Sequence, residues 1–164
     1  MMASDNRQHH EISRGEARLA AVQALYQMEL SGGDANDVIA EFIGHRFANE
    51  ISDVQYVDPD IEHFSAVVRG IVEHQVDIDR YVNGALADGW TLRRLDSTLR
   101  ALLRAATFEL VVRTSIPARV VINEYVEVAH AFFNESEPAF VNGVLDKIAR
   151  AERADEFEPS GEQT

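Results

Sequence analysis

Glu127-Val-Ala-His130 is a Glu-x-x-His pair, a spacing that puts both side chains on one helix face, where they could ligate a metal. A di-iron or di-manganese helical bundle needs two such pairs and two further carboxylates, so one pair is a weak signal. His63 beside Glu62 and His74 beside Glu73 are adjacencies common on solvated helix faces. There is no His-Glu-x-x-His and no Gly-x-Ser-x-Gly, and Gly32-Gly33 follows a helical pattern, not the strand a phosphate-cradling loop requires. The chain has no cysteine, which removes thiolate catalysis, disulfides and Cys-ligated zinc. The expectation is a protein without catalysis, metal or cofactor, whose work is binding.

For binding, the informative run is Phe140-Val-Asn-Gly-Val-Leu-Asp-Lys147, which follows Val121-Ile-Asn-Glu-Tyr-Val-Glu127. Its apolar spacing is helical, yet it carries an Asn-Gly pair. Glycine inside a helix costs about 1 kcal/mol against alanine. Such a glycine points to close backbone approach, by a neighbouring helix or by a ligand. Packing against a neighbour is the reading preferred for Asn142-Gly143.

Charge bears on the ligand. The net charge is −13, which taken whole repels phosphate. The distribution is uneven. Residues 34–79 hold eleven Asp/Glu against two Arg, whereas residues 90–119 hold six Arg against Asp96 and Glu109. A localised anion-binding face is therefore compatible with an acidic chain.

The elements that must position these residues all read as helix. With 164 residues and 46% hydrophobic content, the chain is long and apolar enough for one packed domain. Ser13-Arg-Gly-Glu16 has the form of a capping box, and Leu19, Val22, Leu25, Tyr26 and Leu30 follow at helical spacing. Ser31-Gly-Gly ends that helix. Val38, Phe42, Ile43 and Phe47 suggest a weaker second helix, and residues 49–58 a loop. Asp58-Pro59 reads as the cap of a helix through Val72, with a separate short helix over Ile78–Leu86 and a turn at Asp88-Gly89. Asp96 caps a strongly amphipathic helix, Pro117 is the first residue of the next, and the last runs from about Pro138 to Arg153. The fold class is all-α: six or seven helices in two small subdomains, about 13–88 and 89–153. Residues 1–12 and the acidic tail 154–164 are expected to be disordered. No apolar run approaches the roughly 18 residues of a membrane span, and no secretory leader opens the chain, so a cytoplasmic protein is the default.

Four stretches carry a family resemblance: Ala17-Arg-Leu-Ala-Ala-Val-Gln-Ala-Leu-Tyr26, Leu103-Arg-Ala-Ala-Thr-Phe-Glu-Leu110, Ile116-Pro-Ala-Arg-Val-Val-Ile-Asn-Glu124 and Phe140–Lys147. With them the chain resembles the NusB family of bacterial transcription antitermination factors. The resemblance implies a two-subdomain helical fold and a non-enzymatic role. It implies binding, with ribosomal protein NusE, to the single-stranded boxA element of ribosomal RNA transcripts, within the transcription elongation complex. Faces that pair with NusE could pair with themselves in its absence, giving a homodimer.

Carried over residue by residue, the resemblance places Arg14, Arg18, Tyr26, Ser136, Phe140 and Lys147 at RNA, with 14–26 and 136–147 forming one surface. Gly15 and Glu16 interrupt the arginine run that the family often has. Each residue keeps a structural reading: Arg14 and Arg18 as an ordinary helix start, Tyr26 as core beside Val22 and Leu30, Phe140 as helix-start packing, Ser136 as an N-cap. Arg93, Arg94 and Arg100 are assigned to the NusE contact, with membership of the basic face as the alternative. Arg104 is expected to pair with Glu109 or Glu127. The alternative function is an acidic helical adaptor whose RNA surface has weakened.

Overall fold

The computed structural model describes residues 2–47 and 60–158, with side chains over 14–45 and 60–158. Six α-helices account for most of it: α1 Met2–Ser31, α2 Ala35–Glu41, α3 Ile61–Ala85, α4 Ser97–Val111, α5 Ala118–Phe132 and α6 Glu137–Glu152. No strand occurs among the described residues. The chain forms two compact units, Met1–Gln75 and Val76–Thr164.

In the first unit, α1 buries Ala17, Ala20, Ala21 and Ala24 with Val22, a face small enough for close helix packing. The helix begins at Met2 and runs through the Ser13 capping box, so the box does not mark its start. Gly32, with φ +71°, terminates α1 and donates its N–H to the Met28 carbonyl at 2.8 Å. Asp34 caps α2 by accepting from the Asn36 N–H at 3.3 Å. A π-helical turn, Phe42–Phe47, replaces the last part of the expected second helix. It stacks Phe42 on Phe64 of α3 with centroids 5.4 Å apart. The expected loop 49–58 and the Asp58-Pro59 cap lie outside the described residues. The observed cap of α3 is Asp60, whose carboxylate accepts from the His63 N–H at 2.9 Å. Phe64, Val67, Val68 and Ile71 of α3 are buried.

The two helices expected before and after residue 75 follow one another directly within α3, divided by a kink at His74, whose backbone is not helical (φ −112°, ψ 17°). The two units divide next to this residue.

In the second unit, α4 packs against α5 and α6, which pack against each other. Asp96 caps α4 through the Thr98 and Leu99 N–H groups, at 3.0 and 3.2 Å. Sequence reads α4 as amphipathic, but Ala101, Leu102, Leu103, Ala105, Ala106, Thr107 and Phe108 are all buried, so it is covered on nearly every side. Two of its charged residues are accommodated by specific partners. Arg104 makes a two-pronged pair with Asp79, at 2.7 and 3.0 Å, and not with Glu109 or Glu127. Glu109 is fully buried and accepts a hydrogen bond from the Tyr125 hydroxyl of α5. Gly89, with φ +87°, makes the expected turn, and the Leu92 N–H beyond it is held by Asn83 at 2.8 Å. Pro117 stands one position earlier than expected, as the N-cap of α5. Residues 154–157, placed by sequence in a disordered tail, form a 3-10 turn; residues 159–164 lie outside the described residues. Leu30, Val72 and Val120, expected on apolar core faces, are exposed.

Candidate nucleic-acid interface

The face of α6 turned away from the core is built by helical periodicity. Val141, Val144, Leu145, Ile148 and Ala149 are buried, which leaves Ser136, Phe140, Asn142, Gly143 and Lys147 outside. Ser136, Phe140, Gly143 and Lys147 follow at steps of four, three and four residues, one stripe along the helix. Ser136 is the N-cap by position and makes no side-chain cap bond, so its hydroxyl is not consumed by the helix. Phe140 is 37% exposed, an aromatic ring offered at the surface.

Gly143 corrects the packing reading. A Cβ built there would meet nothing within 4 Å, so no neighbouring helix uses the missing side chain. The Asn142-Gly143 pair lies on the open face between an aromatic ring and a cation, where backbone is accessible to a ligand. Sequence singled out this glycine by its cost but assigned it to the wrong side of the helix. At the far end of the stripe, Lys147 lines a cleft of about 270 Å³ together with Arg80, Tyr81 and Gly84 of α3. Arg80 and Tyr81 are additions that no sequence motif marked: they share neither helix nor sequence neighbourhood with Lys147.

The α1 residues divide. Arg14 is part-exposed and pairs with Asp60 at 3.4 Å. Arg18 is only 2% exposed, so its guanidinium belongs to the interior of the fold in this conformation. Tyr26 is 37% exposed and is not a core residue. Twelve helical residues rotate by about 120°, so Arg14 and Tyr26 do not share one narrow face. These residues and the α6 stripe belong to different units.

The Arg93, Arg94 and Arg100 set also separates. Arg100 turns inward and donates to the Leu92 and Leu95 carbonyls at 3.0 and 2.9 Å and to the Ser97 hydroxyl at 3.2 Å. It closes the Leu92–Arg94 3-10 turn and is spent on structure. Arg93 is exposed. Arg94 donates to the Gly89 carbonyl and lies over the Trp90 ring, 5.0 Å from its centroid. Trp90, itself 50% exposed, is a surface aromatic that sequence reading treated only as the lead into a helix. Glu127 and His130 are both exposed on α5, and among the described residues no group of three His, Asp or Glu side chains converges as a metal site.

Among the described residues the chain is helical, in two units, and one helix offers an aromatic ring and a cation at its surface, the features of a helical protein with a candidate binding face. The NusB family profile matches residues 15–150. The chain belongs to the NusB family. It is 51% identical over 140 residues to transcription antitermination protein NusB of Allorhizobium ampelinum, covering 85% of this chain and 88% of that one. With NusB of Maricaulis maris the identity is 51% over 144 residues, covering 88% and 90%. Among solved structures it resembles Thermotoga maritima NusB (TM-score 0.70, 34% identity, covering 89% of this chain and 97% of that one). It also resembles a structure of antitermination factors NusB and NusE in complex with double-stranded RNA (TM-score 0.69, 27% identity, covering 85% and 97%).

Proposed function

We propose that the protein acts in transcription antitermination by binding boxA-type single-stranded RNA together with ribosomal protein NusE, inside the cytoplasmic elongation complex and without catalysing a reaction. The observation that carries this is the open stripe of α6, where Phe140, Gly143 and Lys147 set a ring, bare backbone and a cation in a row. Single-stranded RNA is recognised by stacking unpaired bases on aromatic faces while cations follow the backbone. Ser136 supplies a hydroxyl at the start of the stripe, and Tyr81 with Arg80 extends it past Lys147. Arg14 and Tyr26 of α1 are the second RNA-contacting group. Arg18 is withdrawn from direct contact and positions α1 instead. Family membership supports the NusE partnership, and Trp90, Arg93 and Arg94 are the surface assigned to it. Without NusE, the same surface is open to self-association into a homodimer.

Titrating a boxA oligonucleotide into the chain, alone and with its cognate NusE, at two salt concentrations and with a duplex of the same sequence as a second arm, tests the reading. Weak binding alone, strengthened by NusE and favouring the single strand, is expected. A duplex preference would reject the stacking argument. Burial of Arg18 and the −13 charge favour a second reading, an acidic adaptor that binds NusE but not RNA. NusE binding with no RNA affinity in any arm would establish that reading in its place.

A further inference from the structure

The two helices that line the cleft beside Lys147 carry the same six-residue pattern. On α3 it reads Tyr81-Val-Asn-Gly-Ala-Leu86, and on α6 Phe140-Val-Asn-Gly-Val-Leu145. Both stretches lie in the second unit. The pattern also faces the same way in each. Val82 and Val141 are buried, as are Leu86 and Leu145, whereas Asn83, Asn142, Gly84 and Gly143 are exposed and each ring is at least partly so. One member differs: Asn83 accepts the Leu92 N–H at 2.8 Å, so its side chain serves the turn that follows. Glycine is costly in a helix unless it ends one in left-handed backbone. Positive φ occurs among the described glycines only at Gly32 and Gly89, so Gly84 does not end α3 in that way. A Cβ built on Gly84 meets nothing within 4 Å, as at Gly143, so no neighbouring helix uses the missing side chain. Gly84 instead lines the cleft, together with Arg80 and Tyr81 from α3 and Lys147 and Glu152 from α6. Arg80 is 3.7 Å from Asp77, an open pair with side chains 76% and 65% exposed, which leaves its charge available.

Ring, bare backbone and cation thus recur on α3 as they stand on α6. An unpaired base needs a flat face to stack on and room for its edge, and a glycine one helical turn from the ring supplies the room. Glu152 disfavours a phosphate inside the cleft, whereas an uncharged base meets no such repulsion, which leaves Arg80 and Lys147 to hold the flanking phosphates. We propose that the Tyr81–Gly84 face is a second base-stacking station, which takes another unpaired base of the strand whose first base rests on Phe140 and Gly143. This second station rests on the reading of the α6 stripe as an RNA face and extends it from one base to two. At about 1.5 Å per residue the stripe advances roughly 10 Å from Phe140 to Lys147, so a base on Phe140 and a base in the cleft belong to different nucleotides. Because one strand joins them, the second contact is made at high effective concentration once the first has formed.

The test uses the full-length chain with its cognate NusE and boxA-type single strands in which one base at a time is replaced by an abasic site. Tyr81→Ala should weaken binding of the intact strand roughly five- to a hundredfold, the worth of one stacked base, and Tyr81→Phe, which keeps the ring, should bind as the unaltered chain does. Gly84→Leu, whose Cβ has open space and whose side chain projects into the cleft, should weaken binding to a similar extent with no loss of melting temperature. In the abasic series, Tyr81→Ala should make one position insensitive and Phe140→Ala a different one. Unchanged affinity in Tyr81→Ala and Gly84→Leu, with Phe140→Ala still weakening it, overturns the second station and leaves the α6 reading standing. Silencing of the same position by both ring variants overturns it too, since one base would then serve both rings. Weaker NusE binding by either cleft variant in the absence of RNA would assign the face to the protein partner and overturn the RNA assignment. No binding of any strand by the unaltered complex would remove the α6 reading and the second station with it. If Tyr81→Ala fails to fold, Gly84→Leu is read by the same outcomes.

Discussion

Phe140 and Gly143 illustrate how much a residue's role depends on which way it faces. Phe140 is 37% exposed, so truncation forfeits only part of a ring's burial. Phe140→Ala should change unfolding free energy by less than about 1 kcal/mol, while boxA affinity in the presence of NusE falls by about 1–3 kcal/mol, the worth of one stacked base. A stability loss of several kcal/mol in urea denaturation would instead make Phe140 a core residue. Gly143→Ala reports from the other side. Its Cβ meets nothing, so the helix should gain about 0.5–1 kcal/mol of stability. If the glycine is kept for a ligand, that gain comes with weaker RNA binding; equal or better binding would count against the stripe. Glu109 is a residue of the interior. Tyr125→Phe removes a donor from its buried carboxyl and should destabilise by about 1–3 kcal/mol in the same assay, with RNA binding by the folded fraction unchanged.

At the scale of elements, the start of α3 ties local capping to the α1 arginines. Burial by itself pushes the Asp60 carboxyl up, but the His63 N–H, the Arg14 guanidinium and the charges of both outweigh it and hold its pKa below the ordinary value. A carboxyl with a lowered folded pKa contributes stability that is present above its unfolded pKa and disappears as pH falls through the folded one. Unfolding midpoints of the wild type and Asp60→Asn should therefore differ at pH 7 and converge below about pH 4. A gap that persists in acid would mean that the carboxylate's charge is not what matters. The pairing also explains why Arg14 is not wholly free for RNA: part of its charge is already committed to fixing the helix start. Of the side-chain caps at Asp34, Asp60 and Asp96, only the last was read from sequence. Asp96 was read correctly because its carboxylate takes two N–H groups of the same first turn. Two helical runs were legible on either side of residue 75, but not that a single residue, His74, divides them, since a one-residue departure from helical geometry carries no turn residue to announce it.

On the scale of the molecule, the −13 charge sets the background against which every RNA contact works. Few cations face outward along the α6 stripe, so few counterions are released on binding, and salt dependence should be shallow in the isolated chain. No helix among the described residues is long and apolar enough to cross a membrane. The sequence by itself determined the helical class, the family and the candidate stretches, because apolar periodicity, capping residues and motif order are local properties of the chain. Only the tertiary structure decided which arginines remain at the surface. Arg18 is buried, Arg100 closes a turn, Arg104 answers Asp79, and Arg119 and Arg150 grip Phe157. The reason is physical: an arginine's partner is chosen by proximity in space, and spacing along the chain does not encode it.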